Sequence, residues 1–403
     1  MSKIVFFCIP AHGHTNPTLG VVRELVARGH EVVYYSYDSL RGKIEETGAR
    51  FVSCDRYDPQ IRLSAEDGER IGRDLAFSVD LIVEMTLALD DAILRDMTLL
   101  RPDVIVADSV AYWGKLIAEK LGIPFVSSTT TFAFNRYSAK LLKRGNPLVL
   151  LRALPHIRKS LNRLRAKGYA VKNVLSVISS DNNTDTIVYT SPEFQPFAET
   201  FSDRYSFVGP SMRPVTSPVD KGAEPTVYIS LGTVVNRRPD FYQNCAAAFR
   251  DAPYRVILSV GEQTDPASLG RLPRNLTAAR SVDQMAVLAV ADAMITHAGM
   301  NSVSEALYDG VPLVLFPQTP EQSGVARRVC ELGAGVLLTR SSPAAIRSAA
   351  DTVLKDPRYR AAAQRLSASF RRCGGASAAA DAIERVIRRG RCGDSAASAD
   401  QAL

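Results

Sequence analysis

Two histidines near the amino terminus have the side chain needed to move a proton. His12 and His14 lie in the sequence PAHGHTNP, directly after the apolar run of residues 3–9. Histidine is the usual general base near neutral pH. Asp108 follows a second apolar run, residues 104–107, and a carboxylate that binds one ring nitrogen leaves the other to accept a proton. A loop histidine is more often structural than catalytic, so the pair gains weight only beside a substrate site.

A second stretch, ITHAGMNSVSEALYDGVPLVLFPQTPEQ at residues 295–322, has the residue types of an anion site. A short apolar strand, residues 293–296, ends at His297 and Gly299, and an amphipathic helix follows at about residues 301–308. The first N–H groups of a helix are unpaired and its dipole is positive there, so this position suits a phosphate. The alternative is an ordinary strand-helix-strand unit whose histidine caps the helix.

Side chains that bind hydroxyl groups follow the same strand and the next one. Glu305 lies one turn into the predicted helix, and Glu321 and Gln322 follow the apolar strand of residues 313–316. Because the carboxyl ends of parallel strands meet at one edge of a sheet, these groups are expected beside the phosphate position. A phosphate position flanked by hydroxyl-binding groups predicts a sugar-nucleotide site.

These residues need parallel sheets to position them. Residues 1–210 alternate apolar strands with amphipathic helices, which is typical of a doubly wound α/β domain. Residues 211–225 are rich in Pro, Gly and Ser and form the predicted linker, and a second α/β series occupies residues 226–375. A helix is expected at residues 376–390 and a flexible tail at residues 391–403. The predicted fold class is α/β, with two doubly wound Rossmann-like domains facing each other across a cleft.

Composition limits the class of protein. The 403 residues are 46% hydrophobic and 23% charged, as in a water-soluble globular protein. The six cysteines are scattered, without a Cys-x-x-Cys pair or histidines at metal-ligand spacing, so neither a disulfide framework nor a zinc site is predicted. No apolar run has the length of a signal segment or a membrane span, and the predicted location is cytoplasmic.

Residues 121–180 concentrate positive charge in a chain whose formal net charge is +7. This basic segment has no Asp or Glu, and its eleven cations are Arg136, Lys140, Lys143, Arg144, Arg152, Arg158, Lys159, Arg163, Arg165, Lys167 and Lys172. Leucines between them indicate basic amphipathic helices. A solvated helical face, contact with an anionic acceptor and peripheral contact with a membrane surface each explain the pattern. No nucleic-acid partner is predicted, because few aromatic residues are interleaved and no binding motif is present.

Three other phosphate-binding motifs are missing or incomplete. A dinucleotide fingerprint requires Gly-x-Gly-x-x-Gly after the first strand, whereas the loop AHGHTNP has one glycine and a proline. A Walker A sequence and an Asp-x-Asp pair are absent. No metal-held diphosphate is therefore predicted, and a leaving diphosphate would have to be stabilised by backbone N–H groups and His297.

Four stretches carry a resemblance to a known family. They are PAHGHTNPTLGVVRELVARGHEV near the start, ADS at residues 107–109, VYISLGTVVN at residues 227–236, and THAGMNSVSEALYDGVPLVLFPQTPEQ at residues 296–322. With these, the chain resembles the family-1 glycosyltransferases of GT-B fold, in particular the bacterial macrolide-glycosyltransferase group, over nearly its whole length. The last stretch is the most specific, being the donor-binding signature of that family. The resemblance implies a terminal helix, residues 376–390, that crosses back to the first domain.

The resemblance also implies roles for individual residues. His14 would deprotonate an acceptor hydroxyl, and Asp108 would orient its ring. The donor-binding residues would be Ser230, Gly232, Thr233, Ser281, Val282, Gln284, His297, Gly299, Met300, Asn301, Ser302, Glu305, Glu321 and Gln322. The acceptor-binding residues would be His12, Trp113, Phe132 and Phe134. No metal and no cofactor are expected, because the UDP- or dTDP-sugar is itself a co-substrate.

The sequence departs from the family at the position that contacts the nucleobase. The family commonly has an aromatic residue, usually Trp, where this chain has Ser281. A serine cannot stack on a base, and the loss of such a stack costs roughly 1 kcal/mol. The guanidinium of Arg280 is the neighbouring group expected to stack in its place.

The predicted function is an inverting, metal-independent glycosyltransferase. It would move a hexose from a nucleotide-sugar, with UDP-glucose as first choice, to a hydroxyl of a small natural product such as a macrolide, polyketide or phenol. The alternatives are a dTDP-deoxysugar-dependent antibiotic glycosyltransferase, a non-catalytic nucleotide-sugar-binding partner protein, and a sugar-nucleotide epimerase of the same fold.

Overall fold

A computed structural model gives the fold of the chain. It describes residues 1–55, 74–135, 137, 147–172, 182–233 and 236–400, with the backbone alone at residues 75, 147–152 and 393–400. The chain divides into two compact units. Unit 1 contains Met1–Tyr189, Phe197–Ser211 and Gly374–Leu403, and unit 2 contains Thr190–Pro196 and Met212–Cys373.

In the described part of unit 1, seven strands form one parallel sheet in the order β3-β2-β1-β4-β5-β6-β7. The strands are β1 (Lys3–Phe7), β2 (Glu31–Ser36), β3 (Arg50–Ser53), β4 (Val104–Asp108), β5 (Phe125–Thr129), β6 (Asp185–Val188) and β7 (Tyr205–Phe207). The direction of winding reverses between β1 and β4. Ligands of doubly wound sheets bind at such a point, beyond the carboxyl ends of the strands.

Helices cover both faces of this sheet because both sides of its strands are apolar. Val5 and Phe7 of β1 pack on one face, while Ile4 and Phe6 pack on the other. The α-helices of unit 1 are α1 (His12–Ala27), α2 (Arg41–Glu45), α3 (Leu75–Leu100), α4 (Tyr112–Leu121), α5 (Pro147–Ala166) and α12 (Gly375–Asp400). Short 3-10 turns lie at Asp38–Leu40 and Ala198–Thr200.

Unit 2 repeats the same winding. Six strands of its described residues form a parallel sheet in the order β10-β9-β8-β11-β12-β13, so the reversal lies between β8 and β11. The strands are β8 (Thr226–Ser230), β9 (Arg255–Ser259), β10 (Leu276–Ala279), β11 (Ala293–Thr296), β12 (Leu313–Leu315) and β13 (Gly335–Leu337). The helices are α6 (Pro239–Ala248), α7 (Gln284–Leu288), α8 (Met300–Tyr308), α9 (Pro320–Glu331), α10 (Pro343–Lys355) and α11 (Pro357–Arg372), with a 3-10 turn at Pro266–Leu269. The predicted fold class, two doubly wound α/β domains, is confirmed.

The last helix belongs to unit 1 although it follows unit 2 in sequence. Ile383 of α12 is fully buried and packs in the core together with Leu25 of α1. Arg28 donates to Asp381 at 2.6 Å, and His30 lies 3.1 Å from a carboxylate oxygen of Glu384. The helix continues to Asp400, beyond its predicted end at residue 390. Among the described residues, no helix has the length and apolarity needed to cross a membrane.

Acidic residues of α3 pair with part of the basic segment. The pairs are His156 with Asp80, Arg163 with Glu84, and Lys167 with Asp90 and Asp91. Arg158 and Lys159 are exposed. Four other cations, and the side chain of a fifth, lie outside the described residues: Arg136, Lys140, Lys143, Arg144 and Arg152. Packing between α3 and α5 therefore accounts for part of the basic pattern.

Candidate active site

The candidate residues form two groups, one in each unit, at the carboxyl ends of central strands. In unit 1, His14 Nδ1 lies 2.8 Å from Asp108 Oδ2, and the Asp108 side chain is 0% exposed whereas that of His14 is 24% exposed. The other carboxylate oxygen of Asp108 accepts the backbone N–H of Val110 at 3.0 Å. Both oxygens are therefore held, and Asp108 presents a fixed acceptor to the imidazole.

The tautomer of His14 follows from this contact. A neutral imidazole donates Nδ1–H to the carboxylate, so the lone pair that can accept a proton lies on Nε2. Thr130 Oγ1 lies 3.1 Å from the same Nδ1 atom. Thr130 follows β5, the strand next to β4, and its place at the same sheet edge is the signal from which sequence reasoning could have found it.

The secondary structure around the two histidines differs from the prediction. His12 and His14 were expected in a loop, but they lie in the first turn of α1, which begins at His12 and contains Pro17. Proline has a helical φ angle, and near a helix start it removes few intrahelical hydrogen bonds. The histidines therefore have a rigid helical backbone, which fixes their position relative to β4.

The four predicted acceptor-binding residues occupy different environments. His12 is exposed to solvent on one side, and partial desolvation of its ring lowers its pKa, as does the nearby charge of Lys43. Phe134 is 42% exposed, Phe132 is buried, and Trp113 is 1% exposed within the core of the sheet. A contact between the Trp113 ring and an acceptor would therefore require movement of the surrounding core side chains.

In unit 2, the ring of His297 is packed between two glycines. A Cβ on Gly232, whose φ is +75°, would lie 2.5 Å from the His297 ring, and a Cβ on Gly299 would also clash with it. Burial lowers the pKa of His297 to about 4, although a hydrogen bond to the backbone of Ser230 opposes the shift. The ring is therefore neutral at pH 7. Ser230 Oγ accepts the N–H of Gly232 at 3.2 Å, which fixes this loop, and Thr233 is exposed beyond it.

The amino end of α8 has the features predicted for a phosphate position. Gly299 is the N-cap residue, and no side chain caps the first turn. Met300 and Ser302 are buried, Asn301 is partly buried, and Ala298 has a φ of +65°. The uncapped N–H groups of the first turn are donors for an anion.

One turn further into α8, Glu305 forms a hydrogen-bonded chain. Gln284 Nε2 donates to Glu305 Oε2, and Tyr228 donates to Gln284 Oε1 at 3.1 Å. Arg213 Nη2 lies 3.4 Å from Glu305 Oε1. Burial raises the pKa of Glu305, and the positive charge of Arg213 opposes that shift. Arg213 lies in the predicted linker, where no residue was assigned a role. No local pattern marks it, since its partner is far away in the sequence.

The residues before α7 are arranged around Asp283. Burial alone would raise the pKa of Asp283, but hydrogen bonds from Thr216 and from the backbone of Ala286 and Ser217 lower it to about 2. Ser281 is exposed and Val282 is partly buried.

Arg280, expected to replace the missing aromatic, binds residues of its own unit. It donates to the carbonyl of Glu262 at 2.9 Å and lies 3.5 Å from Asp265. Stacking on a base would require its guanidinium to reorient.

The predicted sugar-binding pair lies in the first turn of α9. Glu321 is exposed. Gln322 forms a capping box with Thr319: its Oε1 accepts the N–H groups of Gln318 at 2.7 Å and Thr319 at 3.2 Å. The side-chain oxygen of Gln322 is therefore used by the helix start, which leaves its amide NH₂ as the group for a ligand.

Sequence reasoning also missed Arg238, which follows the loop after β8. Its guanidinium donates to Gln318 Oε1 and lies 5.5 Å from the centre of the Phe316 ring. Asn236 holds the same loop by donating to the carbonyl of Gly232 at 2.8 Å. In the sequence, the one signal for a role of Arg238 is that it lies close to the loop of Ser230 and Gly232. Within the described residues, no group of three His, Cys, Asp or Glu side chains could hold a metal ion.

The sequence of this chain is similar to those of known proteins that share a family. The family model "UDP-glucoronosyl and UDP-glucosyl transferase" matches residues 210–372. NDP-glycosyltransferase YjiC of Bacillus licheniformis is 35% identical over 396 residues, which cover 95% of this chain and 97% of that protein. Demethyllactenocin mycarosyltransferase of Streptomyces fradiae is 32% identical, with coverage of 96% and 87%.

A solved structure agrees with these relatives. The crystal structure of the glycotransferase of kitacinnamycin is similar with a TM-score of 0.84 and 28% identity, covering 96% of this chain and 98% of that one. The GT-B fold predicted from the resemblance is confirmed by this similarity. The chain belongs to the UDP-glucoronosyl and UDP-glucosyl transferase family, and it is a glycosyltransferase.

Proposed function

We propose that the protein is an inverting, metal-independent glycosyltransferase that moves glucose from UDP-glucose to a hydroxyl of a small natural product. The observation that carries this proposal is the 2.8 Å contact between His14 Nδ1 and Asp108 Oδ2. His14 Nε2 takes the proton of the acceptor hydroxyl, and the oxygen attacks the anomeric carbon. The bond from that carbon to the diphosphate breaks, and UDP leaves with the electron pair. A single displacement of this kind inverts the configuration.

Groups of unit 2 support the departure of the diphosphate. The uncapped N–H groups of the first turn of α8 are the donors we assign to it, and the helix dipole is favourable there. Glu305 accepts hydrogen bonds from the ribose, while Glu321 and the amide NH₂ of Gln322 bind the sugar hydroxyls. The chain has no Asp-x-Asp pair, so the protein's own donors replace a metal in this reaction.

The acceptor class rests on the relatives. The Streptomyces fradiae protein is named for transfer of a mycarosyl group to demethyllactenocin, and we propose an acceptor of the macrolide, polyketide or phenol type for this chain. A dTDP-deoxysugar is the second candidate donor, as the resemblance to the family implied. Calorimetry with UDP-glucose and dTDP-glucose, each in EDTA and then in magnesium, distinguishes the two donors and tests whether a metal is needed.

Replacing the base tests the reaction itself. We expect His14→Ala to lower kcat for transfer by roughly 10²–10⁴-fold, because the acceptor hydroxyl loses its general base. Donor affinity should be unchanged, since His14 lies in unit 1 and the donor residues lie in unit 2. Transfer is measured as NDP release with a panel of phenols and macrolides, and donor affinity by calorimetry.

The matched control is His30→Gln. His30 precedes β2, at the amino ends of the strands, and contacts Glu384. This variant should transfer sugar at the wild-type rate. If His14→Ala transfers sugar as fast as His30→Gln does, His14 is not the base and the proposal is wrong.

A further inference from the structure

In the proposed reaction, the leaving diphosphate carries more negative charge than His297 and the amino end of α8 can neutralise. A departing nucleoside diphosphate carries at least two negative charges. Burial lowers the pKa of His297 to about 4, so its ring brings no positive charge at pH 7. The amino end of a helix such as α8 supplies about half an elementary charge. If the reaction uses no metal, a side-chain cation near the diphosphate would stabilise the remaining charge.

Arg238 lies at the same edge of the sheet as the phosphate position. It follows β8, and its guanidinium donates to Gln318, which follows β12. In the sheet, β11 lies between β8 and β12. The two side chains therefore connect loops that follow strands about 9.6 Å apart, at the carboxyl end of β11. His297 and the amino end of α8 follow that same strand.

The charge of Arg238 is not neutralised by its partners. Gln318 is a neutral amide, and the ring of Phe316 is an aromatic surface. In the described part of the chain, no carboxylate forms an ion pair with Arg238. By contrast, Arg213 contacts Glu305 at 3.4 Å and Arg280 contacts Asp265 at 3.5 Å. Arg238 is therefore a partly buried cation that is held in place and still available to an anion.

We propose that Arg238 binds the diphosphate of the donor and stabilises its negative charge as the glycosidic bond to the sugar breaks. This inference rests on the proposed function. The loop supports the role, because the side chain of Asn236 holds the carbonyl of Gly232 at 2.8 Å and fixes the start of the segment that carries Arg238. A guanidinium offers two phosphate oxygens a rigid, planar pair of parallel N–H donors, a geometry that the compact ammonium of lysine does not provide.

The neighbouring arginine provides a matched control. Arg237 is exposed, and Arg237→Ala removes the same charge one residue away. Calorimetry in EDTA measures the affinities of UDP, dTDP, UMP and UDP-glucuronic acid for the full chain and for Arg238→Ala, Arg238→Lys and Arg237→Ala. We expect Arg238→Ala to weaken UDP binding about tenfold or more, with a smaller loss for UMP. Arg238→Lys should recover part of the loss, and Arg237→Ala should bind UDP as the wild type does.

The outcomes separate this inference from the proposed function. If Arg238→Ala binds UDP as tightly as Arg237→Ala does, the inference is wrong while the donor site stands. If only UDP-glucuronic acid loses affinity, Arg238 contacts a carboxylate on the sugar and the inference is again wrong. If the wild-type protein binds neither UDP nor dTDP, the proposed function itself fails.

Discussion

At the scale of single residues, the two glycines around His297 have a steric role that their motif did not reveal. Sequence reasoning assigned Gly232 and Gly299 to donor binding because they match a family pattern. In the structure, a side chain at either position would occupy the space of the imidazole. The positive φ of Gly232 adds a second constraint, since L-residues are strained in that region. These glycines therefore position a histidine before any ligand is bound.

Gly232→Ala should lower both stability and donor affinity. The matched control is Gly270→Ala in the same unit, where φ is +76° and the added Cβ would meet nothing within 4 Å. Both variants bear the backbone strain, of roughly 1–3 kcal/mol, but only Gly232→Ala displaces the His297 ring, at a further cost of about 1–3 kcal/mol. Scanning calorimetry and the Kd for UDP measure the two effects. Equal losses in the two variants would show that His297 adjusts freely to the added Cβ.

At the scale of elements, one side chain of α9 closes the helix start and keeps a second polar group for a ligand. The oxygen of Gln322 closes a capping box with Thr319, and its amide NH₂ is the part assigned to the sugar. A capping box accepts either Glu or Gln at this position. Stability and sugar binding can therefore be separated by choice of substitution.

Gln322→Ala removes both the cap and the amide, whereas Gln322→Glu keeps the capping oxygens and removes the amide NH₂. We expect Gln322→Ala to lose about 1 kcal/mol of unfolding free energy, while Gln322→Glu keeps wild-type stability. Both should bind UDP-glucose more weakly and UDP unchanged. Thermal unfolding and calorimetry provide the measurements. If Gln322→Glu bound UDP-glucose as tightly as the wild type, the role of Gln322 would be helix capping alone.

The elements were largely predictable, and their side-chain contacts were not. Strands buried on both faces are continuous apolar runs, so β4 was predicted at residues 104–107 and observed at Val104–Asp108. The three residues of β7 are too few to show a period, and this strand was missed. His12 and His14 were predicted in a loop, whereas α1 begins at His12 and includes Pro17.

The site was predicted only where a local motif exists. His14 and Asp108 were found because each follows an apolar strand, and their 2.8 Å contact agrees with that reasoning. Arg213 and Arg238 contact partners that lie 92 and 80 residues away. No periodicity or short motif encodes a contact between segments so far apart, so only the folded chain shows it.

At the scale of the whole molecule, the stability of the first unit depends on α12, which follows the second unit in sequence. Ile383→Ala removes a fully buried side chain of α12 and should cost about 2–5 kcal/mol. We expect hydrogen exchange to accelerate in β1 and α1, which share its core cluster, and to stay slow in β8. The reciprocal control is Ile346→Ala in α10, also fully buried, which should affect β8 and spare β1. Loss of protection in β8 with Ile383→Ala would contradict this assignment.

The discontinuity of unit 1 has a consequence for synthesis on the ribosome. The residues after Cys373 complete its core, yet they emerge only after the whole of residues 212–373. Domains of a nascent chain usually fold from the amino terminus onward, but here the first unit is completed only after the second. The apolar side of α1 that α12 covers stays exposed to chaperones throughout translation. A transcript truncated near codon 374 would yield a protein whose second unit is whole and whose first unit displays that surface to the cell's quality control.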